Sequence, residues 1–84
     1  MFPFLQEYAM TSNRARENAY HAACKAIRDG TDPRAAASAA IDTARNDAKR
    51  LNEDVEWVTS EEWKNRIIGQ SCEYAARDCS PSTT

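Results

Sequence analysis

The chain is 84 residues long with a formal net charge of −2, enough for one small domain and not charged enough to force disorder. Its apolar content is carried by fifteen alanines, while Phe, Leu, Ile and Val together number only ten. That composition excludes a large core, and no uncharged run, residues 35–41 included, is long enough to cross a bilayer. Burying an Ala methyl yields about 0.8 kcal/mol, against roughly 1.5–3 kcal/mol for a Leu, Ile or Phe side chain. A marginal all-α domain that gains stability by self-association or by binding is therefore expected.

The first element is a helix over residues 3–29. Leu5, Tyr8, Ser12, Ala15, Ala19, Ala22 and Ala26 recur at steps of three and four, with Ala23 and Ile27 widening the stripe. Pro3 suits a first helical position. Thr11, Ser12 and Asn13 offer a second start, so residues 1–12 either continue the helix or form a separate arm. Gly30 closes the helix by accepting a left-handed conformation.

A second helix runs over residues 33–51, capped by Asp32 and opened by Pro33, with Ala37, Ile41, Ala44, Ala48 and Leu51 as its stripe. The short link between the two helices predicts an antiparallel pair, and the alanines on both faces allow close approach. The third helix spans residues 60–78. Thr59 and Glu62 fit a capping box, with Val58 and Trp63 as its hydrophobic staple. Trp63, Ile67, Gln70 or Ser71, and Tyr74 make one stripe; Ile68, Cys72, Ala75 and Cys79 make the neighbouring one. Gly69, poor in a helix, marks close packing against a neighbour. The expected fold is a small three-helix bundle: residues 1–79 form one domain with an apolar N-terminal arm, and residues 80–84 a frayed, disordered tail.

The candidate site is the stretch from Asn52 to Trp63. Glu53, Asp54, Glu56, Glu61 and Glu62 crowd there around Trp57 and Trp63, with no basic residue before Lys64. Residues 53–84 carry three basic and seven acidic side chains, whereas residues 1–52 carry eight and six. Negative charge beside large aromatics suits docking on a positively charged partner, with the carboxylates steering and Trp57 supplying affinity. The plainer reading is a solvated connector in which Glu61 and Glu62 favour the helix N-terminus and Trp57 folds inward as core. The N-terminal cluster Phe2, Phe4, Leu5 and Tyr8 reads either as an arm folded back on the bundle or as one reaching into a second copy or another protein.

Other chemistries are poorly supported. Arg45, Lys49 and Arg50 make a mixed face near the end of the second helix. A helix-turn-helix would present Arg34 followed by alanines to base edges, and the chain is acidic, so nucleic acid is an unfavoured partner. His21 and Cys24 share a helical face but lack an orienting third group. Cys72 and Cys79 lie about 10 Å apart along a helix, too far to share one metal ion. No catalytic residue, metal or cofactor is expected. With no secretory leader, the three cysteines are expected to act as small buried hydrophobes in a cytoplasmic protein.

The expected function is that of a small non-enzymatic helical binding protein occupying a basic surface on a larger protein or complex. Its size and composition are shared by small phage and mobile-element proteins, so inhibition of a nucleic-acid-handling defence complex in the host cytoplasm is the sharpest form. The alternative is a self-assembling structural or adaptor subunit, a homo-oligomer. A helix-turn-helix regulator comes third.

Overall fold

The computed structural model describes the backbone of residues 3–51 and 56–81, and the side chains of residues 12–51 and 57–81. Four helices follow in order: α1 (Pro3–Asp29), α2 (Pro33–Arg50), the one-turn α3 (Glu56–Thr59) and α4 (Glu61–Asp78). No strand occurs among the described residues. The expected three-helix bundle is present, with α3 as an extra turn in the connector between its second and third helices.

Local chemistry sets the boundaries. Gly30 adopts φ +79°, the Thr31 N–H reaches the Ala26 carbonyl at 2.8 Å, and the Gly30 N–H reaches the Ile27 carbonyl at 3.3 Å. This is the paired bonding that closes a helix through a left-handed residue. The Asp32 carboxylate then accepts the Arg34 N–H at 3.0 Å and starts α2.

The α4 start differs by one residue from the sequence expectation. Ser60, not Thr59, is the N-cap: its Oγ accepts the Trp63 N–H at 3.0 Å, while Thr59 closes α3. A hydroxyl at either position satisfies the general pattern, and the extra turn of α3 decides between them.

Two long-range tethers fix the course of the chain. At one end of α4, Lys64 pairs with Asp42 and Glu61 with Arg45. At the other end, Cys79 is joined to Cys24 by a disulfide and Asp78 accepts a hydrogen bond from Tyr20. Thus α4 runs antiparallel to α2 and alongside α1 in the same direction. The cysteine expectation is corrected here: Cys24 and Cys79 are covalently paired, and Cys72 is the free, half-buried thiol.

The core is thin, as the composition requires. Ala15, Ala19 and Ala23 of α1 meet Ala37, Ile41 and Ala48 of α2, closed by Trp57, Val58, Trp63, Ile67, Ile68 and Ala75. The largest fully buried side chains are only Ile41 and Ile67. Two stripe residues and Gly69 depart from expectation. Leu51 is 69% exposed because it is the C-cap, where the helical backbone ends. Tyr74 is 49% exposed because the buried stripe of α4 runs through Ser71 and Ala75 instead. Gly69 has nothing within 4 Å of where a Cβ would stand, so it marks no close contact.

Candidate functional site

The described part of the acidic segment, residues 56–63, forms the corner where α2 gives way to α3 and α4. Its organising residue is Arg45, which is buried although charged. Arg45 stands four residues after Ile41 and three before Ala48, squarely on the buried stripe of α2. Its Nε donates to the Trp57 carbonyl at 3.1 Å and its Nη2 to the Ser60 carbonyl. Nη1 reaches Glu61 Oε2 at 3.1 Å. A one-turn helix leaves most of its carbonyls without helical partners, and the planar guanidinium satisfies one of these together with the carbonyl of the following cap residue. The burial of the charge is thereby compensated on every side of the fork.

The corner closes over two indoles. Trp57 and Trp63 lie with ring centroids 5.4 Å apart and planes tilted by 48°. Trp57 is 6% exposed and its Nε1 has no hydrogen-bond partner among the described residues. The expectation that Trp57 presents its ring to a partner is therefore corrected; the inward alternative holds. Beside it lies a cavity of about 140 Å³, lined in part by Asn18, Ala44, Leu51 and Trp57.

Of the five carboxylates, Glu61 and Glu62 are within the described side chains and both are exposed. Glu61 is tied to Arg45, its own side chain 74% exposed; Glu62 forms no ion pair among the described residues. Lys64, the first cation downstream, is engaged by Asp42 at 2.7 Å. The side chains of Glu53, Asp54 and Glu56 lie outside the described residues, as do those of Phe2, Phe4, Leu5 and Tyr8 in the expected arm. The arm's residues 3–11 continue α1 in the backbone.

No group of three His, Cys, Asp or Glu able to hold a metal ion occurs among the described residues, and Cys24, sealed in its disulfide, offers no thiol beside His21. Nor is any helix among the described residues long and apolar enough to cross a membrane. An open groove of about 530 Å³ lies between α1 and α4, with Arg16 and Tyr20 on one side and Tyr74 and Asp78 on the other. The Tyr20 hydroxyl donates to Asp78 at 2.9 Å, a bond that raises the phenol's pKa by favouring its neutral form. Burial pushes the Cys72 thiol above its ordinary value, against the opposing pull of Arg34.

Sequence reasoning missed two features. Arg45 carried a legible signal, since it shares the apolar face with Ile41 and Ala48. The Cys24–Cys79 pairing did not, because it depends on which end of α4 meets α1. Comparison with protein-family models, with curated proteins and with solved structures finds no match.

Proposed function

We propose that this chain is a small helical binding protein without enzymatic activity, which docks its acidic corner on a basic surface of a larger macromolecular partner. One observation carries most of the weight. Arg45 and Lys64 are already engaged with Glu61 and Asp42, and Glu53, Asp54, Glu56, Glu61 and Glu62 fall within ten residues with no basic residue among them. The corner is left with surplus negative charge on a turn that the guanidinium holds in shape. In its narrowest form the partner is a host nucleic-acid-handling complex whose basic surface the corner covers, the chain being a phage-type inhibitor acting in the host cytoplasm. With Trp57 buried, the carboxylates steer and select the partner, and affinity has to come from neighbouring exposed groups.

The test is an affinity capture from the native host with the wild-type chain and a variant carrying Glu53→Gln, Asp54→Asn and Glu56→Gln. A partner held at low salt by the wild type, released by salt and lost in the variant supports docking. Full-strength binding by the variant at low salt overturns it and returns the corner to the role of a connector.

A second reading, self-assembly, is favoured by the mismatch in helix length. At 27 residues, α1 is nine longer than α2, to which a short turn joins it, so its first turns run beyond the end of its antiparallel neighbour. Those turns carry Phe4, Leu5 and Tyr8. Sedimentation of the full chain and of a deletion of residues 1–8 distinguishes the two: an oligomer that the deletion dissociates favours assembly.

A further inference from the structure

We propose that the Cys24–Cys79 bond is a redox latch that closes the C-terminal half of α4 onto α1 and so completes the groove between them. The two halves of α4 are held very differently. Its first half buries Trp63, Ile67 and Ile68. Beyond Ser71, only Ala75 is fully buried, with Cys72 and Cys79 half-buried, while Glu73, Tyr74, Ala76, Arg77 and Asp78 are exposed. The fully buried α1 residues at this end, Ala19 and Ala23, are again alanines, while Tyr20 and Ile27 are only partly buried. Methyl against methyl buries little apolar area, so packing holds these last turns weakly.

Two ties remain. The Tyr20–Asp78 hydrogen bond lies in solvent and competes with water. The disulfide is the other, and it grips the first residue after the helix, where the backbone turns extended at φ −121° and ψ 150°. On the α4 side of the groove, Ile67, Gln70 and Ser71 precede this latched half, and Tyr74 and Asp78 belong to it. Opening the latch therefore frees the outer part of that wall.

The chemistry is ordinary thiol–disulfide exchange with a dithiol reductant. A thiolate attacks the sulfur of Cys79, the more exposed of the two residues; Cys24, 5% exposed, departs as a thiolate and takes up a proton. The reductant's second thiol then displaces Cys79 and leaves as a disulfide, having supplied two electrons and two protons in all. A disulfide oxidant runs the same steps in reverse. Cys72 is a poor competitor in this exchange, half-buried and with burial favouring its un-ionised form.

The test is hydrogen exchange of the full chain, purified without reductant and compared before and after treatment with excess dithiol. Thiol alkylation should count one free cysteine before and three after. Amides of residues 72–79 should then exchange at least about tenfold faster, while those of residues 63–68 change by less than about twofold. A variant with Cys24→Ser and Cys79→Ser should show the reduced pattern without reductant, and Cys72→Ser should respond like the wild type. Equal acceleration along the whole of α4, no acceleration anywhere, or three free thiols that a disulfide oxidant fails to pair would each overturn the latch.

Discussion

The corner between α2 and α4 and the far end of α4 solve the same problem by different means. Both must hold a polar stretch of chain against an alanine-rich helix. The corner does so with size and directional bonding: two indoles, Val58, and a buried guanidinium shared between two carbonyls and Glu61. The far end has Ala75, a solvent-exposed hydrogen bond and a covalent link. A composition poor in large apolar residues cannot supply packing at both places, and the chain concentrates it at one. Where side chains are too small to hold a helix down, a disulfide is the economical substitute.

The contrast breaks most visibly in the core. Ile67→Ala should cost about 3 kcal/mol, since the side chain is fully buried and leaves a cavity, whereas Ala75→Gly should cost only about 1 kcal/mol, mostly through helix propensity. Denaturant unfolding of both variants checks this; equal losses would mean the two halves of α4 are held alike.

The cap sharpens the account of the corner. Ser60→Ala should lower stability by about 1 kcal/mol, and Thr59→Ala by less than about 0.5 kcal/mol, because only the Ser60 hydroxyl takes the Trp63 N–H. A larger loss at Thr59 would move the helix start back to the position that the sequence pattern first suggests. Between the two regions, Gly69→Ala should raise stability by about 0.5–1 kcal/mol, since a methyl there meets open space. Loss of stability would reveal a contact at that position.

The smallest expected effect lies at the far end. Tyr20 should ionise above the ordinary phenol range, and Asp78→Asn should bring its absorbance titration back toward normal. A raised folded-state pKa means this contact is fully present below about pH 10 and is lost as pH rises through the shifted value. An unshifted Tyr20 in the wild type would remove the second tie from the latch.

Most of the fold was legible because its determinants are local. Asp32, Pro33 and Gly30 act within a few residues of themselves, and alternating steps of three and four mark one helical face. What escaped depends on tertiary placement. Tyr74 fits a stripe as well as Ser71 does, and only the position of α1 decides which turns inward. Gly69 could not be distinguished from a packing glycine without knowing what faces it. Trp57 among carboxylates reads as surface or as core until α3 curls it under, and Cys24 and Cys79 find each other only once α4 runs alongside α1. Of the acidic corner, the crowding of charge was readable; the buried Arg45 that shapes it was readable only by counting a charged residue into an apolar stripe.

The claim at the centre of this account is that Arg45 holds the corner chiefly through main-chain carbonyls and only secondarily through its ion pair. Thermal unfolding of Arg45→Lys and Glu61→Gln tests it directly. A lysine keeps the charge but cannot reach Trp57 and Ser60 together, so Arg45→Lys should cost about 2 kcal/mol or more. Glu61→Gln removes only a partner whose side chain is three-quarters in water and should cost less than about 1 kcal/mol. The reverse order, with the glutamine variant the less stable, would contradict the account and make the corner an ion pair with a turn wrapped around it.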